Sequence, residues 1–334
     1  MRASFLPEIY LSSLATLFNR AVSWQSFGRA LVLQRRHCHP NPKVQLGSTQ
    51  MAAQRTAAIP YSPQHRAALI FTGHLRDTCD WNQTTSAMED QAASCRSAFQ
   101  GRCDIFVHTW DELQKTTREH LNSHGRRSVS AWPCAGRVAK VLRPTAMTVE
   151  NQARAYNASP VDNTPFGDAQ ELPLNFRMNT ASMAGGISLM LSHAHTMGLH
   201  YTAAVRMRAD LSTTRFQTLL PAWQGRDFFP TREAWLKIRA RAEQAANGSL
   251  PQADAAKLVT CRRPHKARGD WCFWSTPPQP LLETVLLHLN RNFDQVHAWC
   301  EQWLRQQHLP PFSENLLRCA MLDRNISYST FATY

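Results

Sequence analysis

The run Ala67-Ala-Leu-Ile-Phe-Thr72, apolar until its last residue and stopped by Gly73, constrains this chain more than any other feature. A strand covered on both faces reads as a short continuous apolar stretch, whereas a half-exposed strand alternates. Asp104-Ile-Phe-Val-His108 and Tyr201-Thr-Ala-Ala-Val-Arg-Met-Arg208 have a similar form. Ala135–Leu142, closed by Pro144, is the third strand candidate in chain order, and Phe228-Phe229 and Asp270–Trp274 are shorter ones. Between them fall helical patterns. Ser86–Phe99 is one; Asn179–His200, with Met183, Ile187, Met190 and Leu191 at helical spacing, is another, weakened locally by Gly185-Gly186. Thr231 is a good N-cap for a helix to Ala246, and Pro277–Leu289, Phe293–Gln307 and Ser313–Asn325 end the chain as helices. Strands alternating with helices predict an α/β fold: a mostly parallel central sheet flanked by helices, with a helical C-terminal part.

Composition narrows the function classes. With 334 residues, 43% of them hydrophobic and 18% charged, the chain has material for a sizeable core and is neither a disulfide mini-scaffold nor a disordered polymer. No segment reaches the roughly 20 uncharged apolar residues of a spanning helix. The net charge of +13 is unevenly placed. Residues 1–76 hold nine Lys/Arg against the single acid Glu8, leaving +5 for the other 258 residues. The basic pI therefore describes mostly a leader, and no nucleic-acid partner is expected from it.

Two regions follow: a basic, acid-poor leader over 1–64 and a single α/β domain over 65–334. The leader has the composition of an organelle transit peptide; Ala3–Phe18 is a candidate amphipathic helix, and Ala21–Leu33 a weak signal anchor interrupted by Arg29. A disordered extension, or a shorter product starting at Met51, fits equally. Organelle, secretory lumen and cytoplasm all stay open as compartments.

The nine cysteines show no repeated CxxC spacing, and Cys261, His265 and Cys272 lack a fourth partner at finger spacing, so buried free thiols are the expectation. Asn82-Gln-Thr, Asn157-Ala-Ser, Asn247-Gly-Ser and Asn325-Ile-Ser are glycosylation sequons that matter only in a secretory lumen.

In parallel α/β sheets the ligand lies beyond the carboxyl ends of the strands. Three polar clusters fall there: Gly73-His74-Leu-Arg76-Asp77, His108-Thr-Trp-Asp111 and Arg206-Met-Arg208-Ala-Asp210. A glycine permits close backbone approach, and Arg76 offers a fork suited to phosphate. Alternate strand residues put Arg206 and Arg208 on one face, and Asp210 can share it. Two arginines beside an acid suit a metal-bound diphosphate; a surface Arg–Asp ladder is the plain alternative. His108 and Trp110 also read as packing at a strand end, and His193, His195 and His200 as solvated or core histidines.

Taken in order, the series resembles a known group. Thr-Gly-His-Leu-Arg at a strand end is followed by Cys-Asp-Ile-Phe-Val-His-Thr-Trp-Asp, then Val-Arg-Met-Arg-Ala-Asp-Leu, Asp-Trp-Cys-Phe-Trp-Ser and Phe-Ser-Glu-Asn-Leu-Leu. This resembles glycosyltransferase-like proteins related to bacterial lipopolysaccharide and capsule synthesis and their algal counterparts, over roughly residues 66–328. The resemblance implies a GT-A-type nucleotide-diphospho-sugar transferase fold and transfer of a sugar from a nucleotide-sugar donor to a hydroxyl of a carbohydrate or other acceptor. By it, Gly73, His74 and Arg76 sit by the nucleotide and Arg206 and Arg208 by the diphosphate. Asp210 takes the place of the metal-binding acid for Mn²⁺ or Mg²⁺, with Arg208 standing where an Asp-x-Asp motif has its first acid. Asp270 and Glu314 face the acceptor as catalytic carboxylates, either being a general base if the reaction inverts, and His108 and Asp111 form a strand-end site. The rival expectations are the same fold kept as a carbohydrate-binding or scaffold protein, and an organellar nucleic-acid binder using Arg262-Arg-Pro-His-Lys-Ala-Arg268.

Overall fold

The structure, a computed structural model, describes residues 65–75, 84–113, 129–157, 173–209, 230–260, 272–282, 284–285, 290, 293–308, 313–323 and 326–330. Its elements in chain order are β1 (Ala67–Thr72), α1 (Thr84–Ala98), β2 (Cys103–Trp110), β3 (Glu112–Leu113), β4 (Val129–Ser130), α2 (Trp132–Leu142), β5 (Ala146–Glu150) and α3 (Gln152–Asn157). Then follow α4 (Pro173–Met197), β6 (Ala203–Arg208), α5 (Arg232–Ala246), α6 (Gln252–Ala255), β7 (Lys257–Thr260), β8 (Cys272–Ser275), α7 (Gln279–Leu282), α8 (Phe293–Gln306), α9 (Ser313–Asp323) and β9 (Ser327–Thr330).

Seven strands form one sheet in the order β5-β2-β1-β6-β8-β7-β9, and β3 with β4 forms a separate antiparallel pair. All seven run one way except β8, which is antiparallel to both neighbours. Counted along the chain, the main sheet reads 3-2-1-4-6-5-7 with its sixth strand reversed. The expected α/β architecture with a mostly parallel sheet is therefore present.

Period two divides the core. Odd-numbered Ala67, Leu69 and Phe71 of β1 join Ile105 and Val107 of β2 and Val205 and Met207 of β6, under α1, α2 and α5. Even-numbered Ala68, Ile70, Phe106 and Ala204 face α4, α8 and α9. Helices cover both faces, which is why the central strands lack alternation. The described cysteines pair: Cys95 of α1 with Cys103 of β2, and Cys300 of α8 with Cys319 of α9. Cys134 and Cys272 are also disulfide-bonded.

Two expectations are corrected. The strand expected over Ala135–Leu142 is the C-terminal part of α2. Cys134, Ala135, Val138 and Leu142 are its buried residues, a helical stripe with Pro133 in the first turn where its missing N–H costs nothing. The thiols expected to be free are disulfides among the described residues: the pairs join a helix to the next strand and one helix to another, and such tertiary pairings carry no local signal. Five strands went unanticipated, among them β3 and β4 of two residues each. β5 is only partly buried, and β7 and β9 are four residues long. The helix expected over 277–289 is described as α7 in its first part, and Phe228-Phe229 lies outside the described residues, as does the leader. Among the described residues no helix is long and apolar enough to cross a membrane.

Candidate functional site

The strand order changes direction beside β1. Its successors β2 and β5 lie to one side, and β6 with everything after it to the other. The carboxyl ends of β1 and β6 thus mark the topological switch point, where open α/β sheets bind ligands. Register brings two of the sequence clusters together there. Thr72 is the Cα partner of both His108 and Arg208, and Ala209 N–H donates to Thr72 O at 2.9 Å.

Gly73 turns the chain out of β1 at φ 103°, a backbone conformation favouring glycine. Its N–H donates to Ser182 Oγ of α4 at 2.7 Å. Ser182 Oγ also lies 2.9 Å from His108 Nδ1. With the serine proton directed at Nδ1, the ring proton stays on Nε2, 3.2 Å from Glu150 Oε2. That last contact is close without meeting hydrogen-bond alignment. His108 is only 1% exposed and the Glu150 side chain 49%. The His108 ring holds the Glu150 carboxyl below the usual carboxylate range, against the opposing pull of burial. Four elements, β1, α4, β2 and β5, are joined by this chain of contacts.

Arg206 is fully buried. Its Nε donates to Thr72 Oγ1 at 2.7 Å and an Nη to Asn179 Oδ1 at 3.1 Å, with the guanidinium 5.3 Å from the Phe273 ring centre. Arg208, two residues on and on the same face, is partly exposed at the edge. The close fit of α4 over this end depends on two glycines. A Cβ on Gly185 would overlap the His108 ring, and one on Gly186 would come to 2.7 Å from both Ile70 Cγ2 and Thr72 Cγ2.

The other strand-end residues build the wall next to it. His74 Nε2 lies 2.9 Å from Gln152 Oε1. Asp111 accepts from Gln152 N–H at 2.9 Å and from Asn151 Nδ2 at 2.7 Å, so its carboxylate holds the start of α3. Trp110 is buried, edge-on to His108 with ring centres 5.3 Å apart. Packing is what the structure shows for Trp110.

The opposite edge carries a second polar network. Asp104 pairs with Arg66 and accepts the Tyr201 hydroxyl at 2.8 Å, and His193 Nδ1 lies 2.9 Å from that hydroxyl. Burial pushes the His193 pKa down, and burial with the Asp104 charge pushes the Tyr201 phenol far up.

Of the sequence-derived site, Gly73, His74, His108, Asp111, Arg206 and Arg208 gather at one edge of the sheet. Arg76, Asp210 and Asp270, and the Arg262–Arg268 cluster, lie outside the described residues, and of Glu314 only its place in the first turn of α9 is described. The sequence reading missed Ser182, Asn179, Glu150 and Gln152. A signal existed for the first two: Asn179, Ser182 and Gly186 fall on one side of a helical run, and paired glycines inside a helix mark close approach. Among the described residues no group of three His, Cys, Asp or Glu could hold a metal ion. The described edge of β6 offers arginines in place of the carboxylate oxygens a hard divalent cation needs.

No family model, no curated protein and no solved structure matches this chain.

Proposed function

We propose that the chain is a glycosyltransferase of GT-A type that moves a sugar from a nucleotide-sugar donor to a hydroxyl acceptor in glycan synthesis. The observation carrying this reading is the meeting of Thr72-Gly73 with Arg206 and Arg208 at the switch point, with Thr72 and Arg208 in direct register. The order of motifs along the chain and the mostly parallel sheet with helices on both faces support it.

In this reading the diphosphate lies over the ends of β1 and β6. Gly73 lets the donor approach the backbone, and Arg76, three residues on in the sequence, contributes a guanidinium fork. As the sugar–oxygen bond breaks, negative charge grows on the departing diphosphate. A preorganised cation at the site of that charge lowers the barrier without reorganising during the reaction. Arg208 is assigned this role. Arg206, already held by Thr72 and Asn179, supports the floor beneath it. His108, tied to Ser182 and Glu150, is a positioning residue for the β1 turn. Asp270 and Glu314 are assigned to the acceptor side, where a carboxylate can take the proton of the attacking hydroxyl. A divalent ion held at Asp210 would neutralise further charge on the diphosphate; the arginines carry the proposal without it.

The burial of Arg206 also favours a second reading, in which the same fold serves as a non-catalytic carbohydrate-binding or scaffold protein. Thermal unfolding of the full chain with UDP or GDP, with and without Mn²⁺, beside Asp210→Ala and Arg208→Ala, separates the two. A nucleotide at about 100 times its dissociation constant stabilises by roughly 2.7 kcal/mol. That is several degrees for a domain of this size, at about 2–4 °C per kcal/mol. A nucleotide shift lost in Arg208→Ala supports the donor site. No shift with either nucleotide refutes it and leaves the scaffold reading.

A further inference from the structure

The turn that ends α5 carries one of the four sequons, Asn247-Gly248-Ser249, and all three residues are exposed. The turn is built from backbone bonds. Asn247 N–H donates to Glu243 O at 3.0 Å, Gly248 N–H to Ala245 O at 3.2 Å, and Gly248 sits at φ 69°. The Asn247 side chain therefore stands at the surface on a defined turn, with the required hydroxyl two residues on.

Its place in the fold leaves room for a bulky group. Trp235 Nε1 donates to Gln91 Oε1, and Arg239 to Ala98 O, so α5 runs in the same direction as α1. Both end near the edge where β2 begins, opposite the edge of Gly73, His108 and Arg206. A glycan on Asn247 would lie away from the carboxyl ends of β1 and β6.

The second observation concerns compartment. All six described cysteines are in disulfides, which persist where the environment is oxidising. The secretory lumen is such a place and is also where sequon asparagines are modified. We propose that Asn247 carries an N-linked glycan and that the chain matures in that lumen. This does not depend on the transferase reading. In the modification, Asn247 Nδ2 bonds to the anomeric carbon of an oligosaccharide carried on a lipid diphosphate. The bond from that carbon to the diphosphate oxygen breaks, the lipid diphosphate leaves, and the amide nitrogen gives up one proton. The cell's oligosaccharide-transferring enzyme supplies the donor and the catalysis.

The test is to express the full chain with its own N-terminus in a eukaryotic host and release glycans with peptide N-glycosidase in heavy-oxygen water. The expected result is conversion of Asn247 to a labelled aspartate, read by peptide mass. The label is expected to vanish in Asn247→Gln and Ser249→Ala and to persist in Ser249→Thr, with unchanged unfolding temperatures before glycan release for the last. An unlabelled Asn247 overturns the proposal, whether the cysteines are then found as disulfides or as free thiols.

Discussion

The two faces of the sheet are made from the same strands yet hold different chemistry. Along the odd positions of β1, β2 and β6, from Ala67 to Phe71, Cys103 to Val107 and Ala203 to Met207, every residue is apolar. Along the even positions the same strands pass from Ala68, Ile70, Phe106 and Ala204 to Thr72, His108, Arg206 and Arg208. Up to those positions one face is thus a packing surface for α1, α2 and α5, with the buried Thr109 as the polar end of its β2 row. The other is packing in its middle and polar at its carboxyl end, beneath α4. The lesson is that a strand buried on both sides can still carry a site, provided polar residues enter at alternate positions and one helix supplies their partners. α4 does this with Asn179 and Ser182, and its glycines let it come close enough.

If that comparison holds, equivalent damage has unequal effects on the two faces. The largest effect is expected from Arg206→Ala. Hydrogen bonds to a charged group contribute about 1.5–3 kcal/mol, and this variant removes the bonds to Thr72 and Asn179, so a loss of roughly 3 kcal/mol is expected in urea unfolding. Arg208→Ala, at the partly exposed rim, is expected to cost clearly less stability than Arg206→Ala while losing any nucleotide-dependent rise in unfolding temperature. Equal destabilisation by both would break the assignment of floor and ligand roles.

Gly185→Ala comes next, at about 2 kcal/mol of destabilisation from overpacking onto His108. Ser182→Ala leaves His108 Nδ1 without its partner in the interior and leaves the Gly73 N–H only its longer bond to His108 O, for about 1–2 kcal/mol. Chemical denaturation of both variants measures this directly, and near-neutral values would mean that α4 can withdraw without cost.

Acid should also act through the α4 face. Burial lowers the pKa of His193 and of His297, so both resist protonation in the folded chain. The unfolded chain then binds more protons as pH drops below about 6.5, the ordinary histidine value. Stability is expected to be full above that value and to decline below it, toward the folded pKa values. The double variant His193→Gln, His297→Gln should show a flatter profile between about pH 7 and 5. Glu150 acts in a lower window: its pKa is depressed, so its contribution is present above the ordinary carboxylate value and is lost as pH falls through the folded one. A slope unchanged in the double variant would remove the histidines from the account.

The smallest effect belongs to the packing face, and its sign is opposite. Gly136 of α2 is exposed with no atom within 4 Å of a Cβ placed there. Gly136→Ala is expected to stabilise by about 0.5–1 kcal/mol, since glycine in a helix loses more chain entropy on folding.

The strand-end clusters were legible because strand chemistry is local. A run of buried residues announces a central strand, its terminating glycine announces the turn, and alternate arginines announce one face. Ala67–Thr72 and Val205–Arg208 could be read this way, and so could the helix capped by Thr231, whose Oγ1 accepts the Ala234 N–H. The 135–142 segment misled because a helical stripe that includes adjacent apolar residues looks like a short strand when read over only eight positions.

What the sequence by itself determined is the class of fold and the neighbourhood of its polar strand ends, since burial and turn chemistry act over a few residues. Tertiary structure alone decided that Thr72, His108 and Arg208 stand in one row, that Ser182 and Glu150 hold the histidine from two sides, and that cysteines 19 residues apart on α8 and α9 are joined. These depend on strand order and on which helix crosses which strand. Such pairings are contacts between distant segments, formed because they bury surface and satisfy buried polar groups together, and no single segment records its partner.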